Sequence, residues 1–120
     1  MYKRQHISSK VAVFEINGPL FFGAAYKFKD AIGRIEKPPK VLIIRMRNVP
    51  IIDATGARTI EEVEKECRHQ GIKLILSEIH SDQVMEELNK YRLVFRIGKA
   101  NILPNLKDSI LRSEQILSGW

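Results

Sequence analysis

Cys67 is the only cysteine in the chain, so neither an internal disulfide nor a cysteine-built metal cluster is open to it. Secreted chains this short more often carry several cysteines, which points towards a reducing compartment. Long apolar runs are missing too. Val41-Leu42-Ile43-Ile44 is four residues and no run is longer, far short of the ~20 that a membrane-crossing helix needs. The basic start Met1-Tyr2-Lys3-Arg4-Gln5-His6 is not followed by the apolar stretch of a signal peptide. As it stands the chain reads as soluble, although a cytosolic domain bears no mark of what was attached to it.

Catalytic signatures are equally scarce. There is no Gly-rich phosphate loop ending in Lys-Ser/Thr, no G-x-G-x-x-G fingerprint and no G-x-S-x-G elbow. His6, His69 and His80 fall near an edge strand, a helix end and a strand–helix junction, without the spacing of metal ligands. Cys67 lies on the apolar stripe of its helix and reads as core, since a reactive thiol needs an exposed, electropositive site. Nothing assembles a nucleophile, a base and an orienting group. The expectation is a protein that is not an enzyme and needs no cofactor or metal.

What is present is ordinary globular material with a positive bias. The 120 residues suit a single domain over 1–120, and a hydrophobic fraction of 44% supplies a core. The net charge is +6, but Lys and Arg are spread along the chain, with no block of five like charges. No aromatic–basic motif of an RNA-binding sheet appears, so nucleic acid is not an expected partner. A solvated basic surface, an acidic partner protein or an anionic membrane surface each fit the charge.

The hydrophobic pattern alternates between two periods. Val11–Asn17 reads as a strand closed by Gly18-Pro19, with Tyr2–Ser8 as a partner strand before it. Phe22, Ala25, Phe28, Ile32 and Ile35 then follow helical spacing, ended by Pro38-Pro39. Val41–Met46 reads as a central strand buried on both faces. A second helix carries Ala54, Ala57, Ile60, Val63 and Cys67 inward and stops at Gly71. Ile72–Leu76 is a further strand, and Ser81-Asp82 caps a helix with Val84, Met85, Leu88 and Tyr91 inward. Leu93–Ile97 reads as an edge strand. Pro104 sits in the first turn of a last helix bearing Leu106, Ile110, Leu111 and Leu117. Strands alternating with helices predict an α/β fold, with a central mixed, mostly parallel sheet of four or five strands and four or five helices.

In such sheets ligands gather beyond the carboxyl ends of the strands. Two loops qualify: Asn17-Gly18-Pro19-Leu20-Phe21-Phe22-Gly23 and Asn48 to Gly56. In the second, Asp53 can cap the following helix, and Gly56 in its first turn suggests a close approach to the backbone. Thr55 beside the free amides could help hold an anion or phosphate; alternatively Asp53 is only a cap and Gly56 only relieves crowding. Leu20, Phe21 and Phe22 either offer an apolar contact to a partner or pack as core.

The strand, the Gly18-Pro19-Leu20-Phe21-Phe22-Gly23-Ala24-Ala25 helix start, the proline break, the Val41-Leu42-Ile43-Ile44-Arg45 strand and Ile52-Asp53-Ala54-Thr55-Gly56-Ala57 resemble the STAS domain, found in sulfate-transporter tails and anti-sigma-factor antagonists. In the antagonists a phosphorylatable serine follows the aspartate; here that position is Ala54, which has no oxygen to carry phosphate. The Gly18–Ala25 segment and the missing serine resemble the cytoplasmic C-terminal domains of SulP-type anion transporters. This resemblance implies a non-catalytic regulatory or docking module at the cytoplasmic face of the plasma membrane, partnered by the membrane domain of its own transporter. A stand-alone antagonist, with Thr55 as substitute phosphosite, is the alternative. Weak guanine-nucleotide binding at the Thr55, Gly56 and Ala57 amides is a third implication, without a guanine-reading motif to support it.

Overall fold

The computed structural model describes residues 7–119. Their order is β1 (Val11–Asn17), α1 (Phe22–Gly33), β2 (Val41–Asn48), α2 (Ala54–Gln70), β3 (Lys73–Ser77), α3 (Asp82–Lys90), α4 (Leu93–Ile97), a 3₁₀ turn at Lys99–Asn101, β4 (Ile102–Leu103) and α5 (Leu106–Leu117). The strands pair β1-β2-β3-β4, every described pair parallel. Val41 stands opposite both Val11 and Lys73, which sets the register of the three longer strands. The expected partner strand over Tyr2–Ser8 lies outside the described residues except for Ile7 and Ser8, which are irregular.

Both faces of the sheet are covered. Leu42, Ile44, Met46, Leu74 and Leu76 point into the larger core, closed by Ala25 and Phe28 of α1, Ala57, Ile60, Val63 and Cys67 of α2, and Val84, Leu88, Leu93 and Ile97 of α3 and α4. Val41, Ile43 and Ile75 face the other way, onto Ile110 of α5. The period-two alternation of β2 therefore feeds two apolar cores, which is why the strand reads as uninterrupted hydrophobic sequence.

Several expectations are corrected. Leu93–Ile97 is a helix, not an edge strand: Arg92 turns the chain in the left-handed region (φ 58°), and Leu93 and Ile97, one helical turn apart, are the buried pair. The edge strand is the two-residue Ile102–Leu103 instead. Helix α1 stops at Gly33, before Pro38-Pro39, where the Arg34 N–H returns to the Ala31 carbonyl and the Ile35 N–H to the Ile32 carbonyl; Ile35 lies beyond the helix. Pro104 precedes the last helix, whose cap is Asn105, its side chain accepting from the Asp108 N–H. Leu111 and Ala54, expected inward, are exposed. Gly71 ends α2 in the left-handed conformation (φ 75°), as its sequence position predicts.

Candidate functional site

The carboxyl ends of β1, β2 and β3 bring three loops together. A register shift between Glu15 and Asn17 and the positive φ of Gly18 (95°) swing the first loop towards the second. There the chains run on as a short parallel ladder beyond the sheet. The Gly18 N–H donates to the Asn48 carbonyl at 2.9 Å and the Leu20 N–H to Ile51 at 3.0 Å, while Leu20 and Ile52 form a parallel bridge. Both of those side chains are buried. The third loop clamps the second: Gln83 accepts from the Ile52 N–H at 2.9 Å and donates to the Ile52 carbonyl at 2.8 Å, and the Ser81 hydroxyl donates to Pro50 at 2.8 Å. Neither clamp is legible in sequence, since an amide side chain announces no partner thirty residues away.

Gly56 explains why the loops fit. A Cβ built there would overlap the Leu20 carbonyl oxygen and sit 2.6 Å from Ile52 Cγ1. The close approach that the glycine suggests is made by the protein's own first loop. Asp53 caps α2, its Oδ1 accepting from the Gly56 N–H at 2.7 Å. An anion seeking that amide must displace a carboxylate already bound to it. Thr55 and Ala54 are exposed at the first turn, Ala57 is buried, and Pro19 and Gly23 are exposed on the first loop.

The apolar run of the first loop divides. Leu20, considered for partner contact, is instead a fully buried plug; Phe21 and Phe22 are exposed, Phe22 to 74%. Tyr26 stands one helical turn after Phe22 on the same face of α1 and is exposed to 72%, and Ile51 is exposed on the loop bonded to Leu20. The last two escape sequence reasoning; the i,i+4 spacing of Phe22 and Tyr26 is the signal that could have found the first.

A charged cluster lies at the same end of the sheet, on the α5 side. Arg45 and Glu78, both buried, form a bidentate pair with two 2.7 Å bonds. Ser77 donates to Glu78 at 3.0 Å, and the Ser109 hydroxyl of α5 donates to Ser77 at 2.8 Å. Glu15 lies 3.7 Å from Arg45 and takes bonds from Arg47 and Asn48. The Arg45 guanidinium holds the Glu78 carboxyl below its usual range, against the opposing effect of burial. Arg45, set between the apolar run Val41–Ile44 and Met46, is the sequence signal that could have found this cluster.

Cys67 is buried in the larger core, and burial, with Glu64 and Glu66 nearby, pushes its thiol up to about 11. Relative to an ordinary value of 9.0, the thiolate fraction near neutral pH falls about 100-fold. A thiol reagent is therefore expected to label Cys67 at least ~100-fold more slowly in the native chain than in urea. Equal rates would place the sulfur at the surface.

Fold and site together describe an α/β domain with loops locked to one another beneath and an aromatic rim outside. The chain belongs to the STAS domain family, whose model matches residues 2–109. It is 32% identical to a sulfate transporter family protein from Wolinella succinogenes, with a TM-score of 0.88 and coverage of 98% of this chain and 96% of that one. The SulP transporter STAS domain from Vibrio cholerae is 29% identical, with a TM-score of 0.78 and coverage of 96% and 89%. YvdB of Bacillus subtilis, named for sulfate transport, is 30% identical over 90 residues, 74% of this chain but 17% of that protein. The chain thus spans about a fifth or less of the curated relatives it matches. Among the described residues no helix is long and apolar enough to cross a membrane.

Proposed function

We propose that the chain is the cytoplasmic docking and regulatory domain of a SulP-type anion transporter, and that it meets the transporter's membrane part through Phe21, Phe22, Tyr26 and Ile51. The observation that carries this is the exposed aromatic rim on loops that are hydrogen-bonded into one unit. Rings held on a rigid base lose little freedom on docking, so their buried area becomes affinity. Family membership and the likeness to transporter STAS domains support the partner. No catalytic step belongs to this function. Ala54, exposed at the head of α2, has no hydroxyl for the phosphate switch of the antagonists, which favours the transporter over the stand-alone reading.

The test is anion uptake by the parent transporter carrying Phe21→Ser and Phe22→Ser. Both sites are exposed, so the domain is expected to fold with its Tm nearly unchanged. Loss of two aromatic anchors weakens an interface by roughly 10-fold or more, and uptake should fall with it. Unaltered uptake, or a parent reading frame without membrane spans, overturns the proposal.

A further inference from the structure

Away from the aromatic rim, the end of α3, helix α4 and the turn after it form a basic corner. From Asn89 to Ala100 it carries Lys90, Arg92, Arg96 and Lys99 and no acidic residue. At its centre Phe95 is exposed to 85%, the most exposed large hydrophobic side chain among the described residues. The fold compels this. Leu93 and Ile97 must both enter the core, and on a five-residue helix that direction sends Phe95 outward. Lys90 and Arg96 are engaged by Glu87 and Glu61 at 3.2 and 3.4 Å, whereas Arg92 and Lys99 make no ion pair among the described residues. These two cations line a shallow depression with Asn89, Val94, Phe95 and Gly98, and no carboxylate faces it.

We propose that this corner binds an anionic lipid surface, with Phe95 entering the headgroup boundary and Arg92 and Lys99 pairing with lipid phosphates. An exposed ring on a short helix, flanked by two cations that no carboxylate faces, matches the charge and the apolar boundary of an anionic bilayer. A fluid anionic surface moulds itself to such a projection. The inference rests on the proposed attachment to a membrane part, because tethering lets a contact of modest affinity hold the domain against the bilayer. It gives the domain a second, lipid-facing contact distinct from the Phe21–Phe22 rim.

The experiment is co-sedimentation of the 120-residue chain with vesicles of phosphatidylcholine alone or mixed with phosphatidylglycerol. Binding is expected only to the mixed vesicles, and it should weaken as salt rises from about 0.05 M to about 0.5 M. Arg92→Gln with Lys99→Gln should lower partitioning about 25-fold, at about 5-fold per charge. Phe95→Ser should lower it about 10-fold. The charge-matched pair Lys37→Gln with Lys107→Gln, placed elsewhere on the surface, should leave most of the binding intact, and circular dichroism should show every variant folded. The proposal is overturned if the unaltered chain does not bind, or if the corner variants bind as it does. It is equally overturned if the control pair is as damaging, or if the chain is retained by polyglutamate but not by anionic vesicles, which would make the partner an acidic peptide. A failure here leaves the Phe21–Phe22 docking proposal standing, because that is read from uptake.

Discussion

Gly56→Ala is expected to lower the Tm by roughly 12 °C, corresponding to about 3 kcal/mol of lost stability in a chain of this size. The added methyl would overlap the Leu20 carbonyl and meet Ile52 Cγ1 at 2.6 Å. Neither neighbour can yield cheaply. The Leu20 backbone is held by its bond to Ile51, and Ile52 by both ends of the Gln83 amide. Relief requires α2 to back away from the first loop, which would open the Leu20–Ile52 bridge and expose two buried side chains. Gly23→Ala, in the first turn of α1, is the control: its new methyl meets open space, and alanine is the better helix former, so the Tm should hold or rise. A thermal melt separates the two. Equal Tm values for the Gly56 variant and the unaltered chain would mean that the loops part at no cost. The same substitution should also displace Phe21 and Phe22, so it is predicted to impair uptake even where enough folded domain remains.

Glu78→Ala is expected to cost about 3 kcal/mol, the lower end for breaking a buried ion pair. The loss removes the two 2.7 Å bonds that join the buried Arg45 guanidinium to Glu78. It also removes the acceptor of the Ser77 hydroxyl, in the chain of bonds that reaches α5 through Ser109. Deleting both partners, Arg45→Met with Glu78→Ala, should cost less than Glu78→Ala alone, since the buried guanidinium is then removed together with its bidentate partner. Backbone strain is separable. Glu78 is a non-glycine residue at φ 65°, so Glu78→Gly should be milder than Glu78→Ala by up to ~1 kcal/mol. Urea melts of the four chains make the comparison, and a Glu78→Ala midpoint matching the unaltered chain would dismiss the pair as a stabilising element.

The sign of the pH dependence follows from the same pair. The folded carboxyl titrates below its ordinary 4.5, so its contribution is fully present above that value. It is lost as pH falls from about 4.5 through the lower folded pKa, because the unfolded chain then binds the proton more tightly. In Glu78→Gln this part of the acid sensitivity should vanish.

Where a side chain's surroundings lie within one helical turn or one strand, sequence reading served well. Val11–Asn17 is the strand its alternation predicts, α2 runs from an Asp53 cap to a Gly71 stop, and Ser81 caps α3. It faltered where two periods fit the same letters. Leu93-Val94-Phe95-Arg96-Ile97 satisfies a short strand and a helical turn alike, and the left-handed Arg92 that decides between them has no sequence mark. It could not sort Leu20, Phe21 and Phe22, three apolar neighbours of which one is a plug and two are surface. The direction of each is set by the bridge to Ile52, a partner on the next crossover.

By itself, then, the sequence determined the alternation of strands and helices, the caps, the inert Cys67 and the absence of a hydroxyl at Ala54. These depend on periodicity, on chain-local hydrogen bonds and on side-chain chemistry, all carried by neighbouring residues. The tertiary structure alone decided that Gly56 receives the Leu20 carbonyl, that Gln83 clamps Ile52 and that Arg45 meets Glu78, 33 positions away. Only when parallel strands lie side by side do their carboxyl ends share one place. A contact across a crossover depends on strand register and helix packing together, and no short stretch of residues encodes both.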